Sequence, residues 1–304
     1  MPPNSDLTTL STQELLDLYS DDPIMQGLIQ DEQRYEMEHS STANATYLRT
    51  LLTEAEQCAF ESIDLKGTLT RDAAGRISGA VWFPAMTQVE LTLIGMGGIG
   101  SWAGLLLNRL AIRQMVCNDA DTIESHNTSG QLYGSSHIGS YKTDVFKSII
   151  DYLGNPSVST TVYHEFVTAE NFHPLKYTFC GLDNMAARQT IFEAWISGTP
   201  DNGNYWFIDG RLSATTAIVV IIPRNNSAAI TAYRERYLFT DEQAEETVCS
   251  FKQTSFMAAI IGGMMANALV NIVYNEGDNF PPVYVPFAIA YNSENFRTST
   301  LNMP

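Results

Sequence analysis

Gly95-Met96-Gly97-Gly98-Ile99-Gly100 stands between a short apolar run, Val89–Ile94, and a helical pattern that reaches about Ile112. A strand, a glycine hairpin and a helix start in that order make a cradle for anions. The free N–H groups at the helix start attract negative charge, and the helix dipole adds to that attraction. Gly95 lets the chain turn off the strand, while Gly97 and its neighbour Gly98 let backbone approach a phosphate. Gly100 allows close packing of helix on strand. Asp119, nineteen residues beyond Gly100, ends a second strand where a carboxylate can accept hydrogen bonds from ribose hydroxyls. The chemistry on offer is nucleotide binding, against the plainer reading of an ordinary glycine-rich turn. The loop alone does not separate a dinucleotide from ATP.

The surrounding elements must hold that loop, and their order predicts how. Strand-like segments at 89–94, 114–119, 158–163, 177–180, 205–208 and 217–222 alternate with helical patterns ending near 112, over 142–153, over 184–197 and near 252–274. Such alternation predicts an α/β fold, Rossmann-like, with a mostly parallel sheet and helices on both faces. The last thirty residues read as one or two short extended segments. Residues 1–85 differ: positions 1–80 hold fourteen acids against five bases, with Leu, Tyr and Phe at helical intervals in 12–19 and 46–63. The expected division is an acidic, mainly helical N-terminal region, 1–85, and a nucleotide-binding domain, 86–304. The N-terminal region reads as a helical cap or as a module that recognises a partner.

Composition narrows the function. With 304 residues, 44% hydrophobic and 17% charged, the chain can fill a core. Its net charge of −17 repels phosphate backbones and anionic lipid, which argues against a nucleic-acid or membrane-surface role. Four cysteines (Cys58, Cys117, Cys180, Cys249) contain no CxxC pair, which fits a reducing compartment rather than a disulfide scaffold. The N-terminus is polar and acidic where a secretory leader is basic and then apolar, so the expected location is cytoplasmic. Phe256–Val273 approaches membrane-spanning length, but it carries Asn267 and Asn271 and lacks a basic flank. It reads as a core helix.

Downstream landmarks favour ATP over nicotinamide. Asp119-Ala-Asp121-Thr-Ile123 leads to Asn127-Thr-Ser-Gly130-Gln131, then Gly139-Ser-Tyr-Lys142, then Asp183-Asn184-Met-Ala-Ala-Arg188. Over roughly residues 88–275 this order resembles the ThiF/MoeB/HesA family of adenylating enzymes, relatives of ubiquitin-activating enzyme. The family shows GxGGxG, D-x-D-x-V, N-x-x-R-Q, G-x-x-K and D-N-x-x-x-R in the same succession. The resemblance implies that Lys142 contacts the phosphates and Asp183 holds Mg²⁺. It implies that Asp119 binds ribose, with Asp121, Asn127, Gln131 and Asn184 along the nucleotide, and that Arg188 anchors the site. Cations are needed because one anion attacks the α-phosphate of another.

Three departures qualify the resemblance. The family arginine of N-x-x-R, lent to the neighbouring subunit, is Gly130 here. Candidate replacements are Arg211, read as part of a loop after the Tyr205–Ile208 strand, and Arg34. For Arg211 the competing reading is a salt bridge with Asp209. Cys249 falls where relatives often carry a cysteine that takes the acyl group, although a buried small residue is the rival reading and Glu245 and Glu246 disfavour a thiolate. Zinc is not expected, since both CxxC pairs of many relatives are missing and the five histidines show no ligand spacing. His126 and His137 flank the Asn127–Gln131 segment and are either site-lining or surface residues.

The first reading is therefore an ATP- and Mg²⁺-dependent adenylyltransferase. It would activate the C-terminal carboxylate of a small ubiquitin-like or sulfur-carrier protein, or of a peptide, and work as the homodimer that the resemblance implies. Two rivals stay open: a nicotinamide-dependent oxidoreductase, which the glycine loop and Asp119 also satisfy, and a non-catalytic relative that keeps the fold.

Overall fold

The computed structural model describes residues 76–213, 215–239, 254–277 and 281–304. Arg34, Cys58, Cys249 and nearly all of the acidic N-terminal region lie outside these residues.

Short apolar strands build one eight-stranded sheet. They are β1 (Glu90–Ile94), β2 (Gln114–Asn118), β3 (Ser159–Tyr163), β4 (Tyr177–Cys180), β5 (Trp206–Leu212), β6 (Thr216–Pro223), β7 (Ala288–Asn292) and β8 (Arg297–Leu301), in the order β3-β2-β1-β4-β5-β6-β7-β8. The first five in that order run parallel, and β6, β7 and β8 continue the sheet antiparallel. β4 is buried at every residue, as a central strand covered on both faces requires. The extended C-terminal segments are thus full members of the sheet, pairing through β7 onto β6.

Helices cover both faces. A single turn, α1 (Phe83–Met86), precedes β1, and α2 (Gly98–Arg109), α3 (Lys142–Leu153) and α6 (Ser255–Asn275) share one apolar core with Leu91, Leu93, Phe179 and Ile208. α4 (Met185–Gly198) and α5 (Ser227–Tyr237) pack on the opposite face, where Phe192, Trp195, Phe207 and Tyr233 form an aromatic cluster. Burying each such side chain contributes about 1.5–3 kcal/mol before conformational entropy is counted. α6 is long and apolar enough to cross a bilayer by length and composition. In this fold it buries Met257, Ile261, Met265, Leu269 and Ile272 against α2 and the sheet. Cys117 and Cys180 are core residues, and burial pushes the Cys117 thiol far above its ordinary pKa.

Two features depart from the sequence expectation. β5 does not stop at Ile208: Asp209, Gly210 and Arg211 pair with Val220, Val219 and Ile218 of β6. The polar Asp-Gly-Arg triplet looks like a turn, but the antiparallel partner carries the strand through it. α5 has no counterpart among the expected helices. Its Asn226 cap accepts a hydrogen bond from the Ala229 N–H at 3.0 Å.

The end of the sheet away from the glycine loop is gathered by one carboxylate. Glu276, at the C-terminus of α6, accepts from Lys176 (2.6 Å), Tyr177 (2.6 Å), Asn204 (2.9 Å) and Trp206 (3.3 Å). These donors lie at or just before the starts of β4 and β5. Burial, and then the Glu276 charge, raise the Tyr177 phenol and keep it a donor.

Candidate functional site

Strand order reverses at β1, with β2 and β3 to one side and β4 and β5 to the other, all parallel, and in such sheets the crevice beyond the strand ends receives ligands. Register makes that crevice level. Ile94 lies opposite both Asn118 and Cys180, so Gly95, Asp119 and Gly181 leave the sheet side by side. The Gly95 N–H donates to the Asn118 carbonyl at 2.9 Å and the Gly181 N–H to the Ile94 carbonyl at 2.8 Å.

The hairpin needs its glycines. Gly95 has φ +83°, a conformation that side chains disfavour. A Cβ on Gly100 would lie 1.7 Å from the Gly95 carbonyl oxygen. Gly100→Ala is therefore expected to abolish folding or soluble expression. Gly263→Ala in α6 meets nothing within 4 Å and is expected to stabilise by about 0.5–1 kcal/mol, since alanine is the better helix former. Denaturant melts of the two variants check the contrast.

Asp119 organises the loop as well as facing it. Its carboxylate accepts from the Met96 N–H at 2.6 Å and the Asp121 N–H at 2.8 Å. Burial lifts its pKa above the ordinary aspartate value, against the pull of the Lys142 charge and of those two donors. No side chain caps the start of α2, which leaves its first N–H groups to an outside acceptor.

A second wall comes from residues 119–142. Strand-like contacts zip it together: Thr122 bridges Tyr141, and the Lys142 N–H donates to the Asp121 carbonyl at 3.0 Å. The Lys142 ammonium, buried at the first position of α3, pairs with the Asp121 carboxylate at 2.7 Å. Asn127 folds the 3₁₀ turn Ser125–Ser129 by accepting from the Glu124 N–H at 2.8 Å, so in this state its oxygen serves the loop. Gln131 lies against Gly97, and its buried side-chain oxygen has no hydrogen-bond partner. The Trp102 indole N–H donates to the Gly130 carbonyl at 3.1 Å, and the Tyr133 hydroxyl to the Met96 carbonyl at 2.7 Å. Gly130 thus sits over α2, against the indole of Trp102. His126 faces Glu124 at 3.3 Å, and His137 Nδ1 accepts from the Gly134 N–H, so both serve their own loops.

The third wall follows β4. Asn184 caps α4 by accepting from the Ala187 N–H at 2.7 Å, and the preceding Asp183 is exposed. Arg188 ties this loop down from beneath, donating to the Leu182 and Gly210 carbonyls and to the Asp209 carboxylate. Asp209, fully buried, also accepts from Arg211 Nε at 2.8 Å and the Tyr233 hydroxyl at 2.9 Å. Burial pushes the Tyr233 phenol up to about 12, so it remains a donor despite two nearby guanidiniums. The Arg211 guanidinium lies 5.5–5.7 Å from the ring centres of Tyr233, Tyr237 and Phe239. The Asp209 salt bridge is therefore formed, and Arg211 belongs to a strand rather than a loop. Sequence reasoning missed the Asp209–Tyr233 partnership, because Tyr233 sits on the unexpected helix α5.

The glycine hairpin, Asp119, Lys142, Gln131 and Asp183 thus gather around the ends of β1, β2 and β4. No group of three or more His, Cys, Asp or Glu suited to a metal occurs among the described residues. A Mg²⁺ ion, which keeps several waters and takes one or two protein carboxylates beside substrate phosphates, fits a lone Asp183. Phosphate fits the uncapped helix start, and the unpartnered Gln131 oxygen suits a ligand donor.

Comparison with known proteins bears on the fold and the family. The tRNA threonylcarbamoyladenosine dehydratase of Escherichia coli (strain K12) is 30% identical over 97 residues, covering 32% of this chain and 36% of that protein. Ubiquitin-like modifier-activating enzyme 5 of Arabidopsis thaliana is 24% identical over 227 residues, covering 66% of this chain and 51% of that protein. The chain spans about a third to a half of the length of these curated relatives. The fold matches that of E. coli MccB solved with ATP, with a TM-score of 0.59 at 13% identity over 78% of this chain and 73% of that one. The ThiF family model covers residues 83–304, from α1 through β8. With both the sheet and its glycine crevice inside that span, the chain belongs to the ThiF family.

Proposed function

We propose that this chain is an ATP-dependent adenylyltransferase that activates a carboxylate at the C-terminus of a small ubiquitin-like or sulfur-carrier protein, or of a peptide, releasing pyrophosphate. The observation that carries the reading is the placement of a buried lysine and an exposed aspartate on either side of one glycine cradle. A redox coenzyme needs the cradle but neither of those side chains. The MccB fold match, solved with ATP and separately with MccA, supports the same reading.

In this reading the α2 N–H groups and Lys142 hold the triphosphate and stabilise charge that develops at the α-phosphorus. Asp119 accepts from the ribose while holding Met96, so ribose and hairpin are positioned by one carboxylate. Asp183 would hold Mg²⁺, which would supply charge neutralisation to the phosphates. The carboxylate attacks the α-phosphorus, the bond to the bridging oxygen breaks, and pyrophosphate leaves with its electron pair. Arg211 is the described candidate for the cation missing at Gly130. In this state the two guanidinium nitrogens that Asp209 does not engage donate to the Met185 sulfur at 3.9 Å and the Tyr233 hydroxyl at 3.3 Å, and would have to exchange those partners for phosphate. The N-terminal region is the proposed partner-recognition element, and a homodimer the proposed assembly.

Gly130 favours one second reading, a nucleotide-binding relative without catalysis. Exchange of labelled pyrophosphate into ATP, measured with the full chain and candidate carboxylate partners, decides between the two. Exchange that requires a carboxylate partner supports the enzyme. ATP binding without exchange for any candidate supports the second reading, and binding of NADH without ATP overturns both.

A further inference from the structure

Helix α3 begins badly by the usual rules. Its cap residue, Tyr141, makes no side-chain capping bond, and a cation, Lys142, stands at the positive end of the helix dipole. Both features favour fraying of the first turn. The compensation comes from outside the helix. His164, just after β3, reaches three residues around the lysine, one before it and two after. Its ring packs on Tyr141 with centroids 4.6 Å apart, its Nδ1 meets the Thr143 hydroxyl, and its Nε2 meets the Asp144 carboxylate at 3.0 Å. Thr143 is fully buried, so this contact anchors the turn and is closed to substrate.

We infer that His164 is a positioning residue for Lys142, clamping residues 141, 143 and 144 so that the ammonium stays aimed into the crevice. The inference rests on the nucleotide reading above and adds a residue to it. The polar and ring contacts of His164 go to Tyr141, Thr143 and Asp144 rather than to the glycine hairpin or Lys142, and it acts through the first turn of α3. Held there, Lys142 and the helix start present positive charge together. Released, the lysine gains rotamers that it must lose again when phosphate arrives.

Binding of MgATP and of adenosine to the full chain, by calorimetry, tests this. His164→Phe keeps a ring against Tyr141 and removes both polar contacts. It is expected to weaken MgATP about tenfold and leave adenosine within about twofold, because only the phosphates use Lys142. Lys142→Ala should show the same selectivity, and the double variant should lose little beyond Lys142→Ala alone. His164→Asn, which retains a polar atom near the Nδ1 position facing Thr143, should fall between and serves if His164→Phe does not fold. Unchanged MgATP affinity in a folded His164 variant overturns the inference, as does equal weakening of MgATP and adenosine or full additivity with Lys142→Ala. An unaltered chain that binds neither ligand overturns the nucleotide reading itself.

Discussion

Lys142→Met is expected to lower carboxylate-dependent pyrophosphate exchange by about 10²–10³-fold, the range for removing one preorganised group that stabilises transition-state charge. Methionine keeps most of the stem that fills the wall, so the loss is mainly electrostatic. Asp121, the partner left behind, is more than half exposed and finds water easily. Stability should therefore change little while exchange collapses. Asp119 moves the other way: the lysine is the largest influence lowering its pKa, so its carboxyl should rise further in the variant. Exchange assays with a thermal melt as control separate the effects. A variant within about threefold of the unaltered rate would remove Lys142 from the machinery.

Asp209→Ala is expected to be the most damaging single substitution of a charged residue on the opposite face. It strands Arg188 and Arg211 in a buried pocket without their shared carboxylate. Breaking a buried ion pair in this way costs about 3–5 kcal/mol, which lowers Tm on the order of 10 °C in a domain of this size. Arg211→Met should cost less, because Asp209 keeps Arg188 and the buried charges then balance. The pair of variants also addresses the vacancy at Gly130. If Arg211 serves the reaction, Arg211→Met loses exchange while retaining its fold. Equal destabilisation by the two variants would contradict the charge count.

The site was legible where backbone geometry dictates residue type. A hairpin with positive φ at Gly95 and no room for a Cβ at Gly100 admits glycine alone, so that motif survives in the sequence. Asp119 was legible as a strand-end residue and Asn184 as the start of a helix, though their local tasks of holding Met96 and capping α4 through Ala187 were not. The β5 extension was hidden because its continuation depends on pairing with β6, a partner that local propensity does not reveal. α5 was hidden for a related reason. Its buried residues include small alanines beside Ile230 and Tyr233, and its stability comes from the aromatic cluster on the sheet. His164 carried no signal at all, since its three contacts lie twenty or more positions upstream.

The carboxylate of Glu276 has a mechanical corollary. Four donors clasp one end of the domain, whereas the opposite rim is made of turns. A domain so fastened is expected to tolerate changes at the rim without loosening at the clasp. Rim sequences are then free to vary while the clasp preserves the folded scaffold, and amide exchange should be slowest beside the clasp.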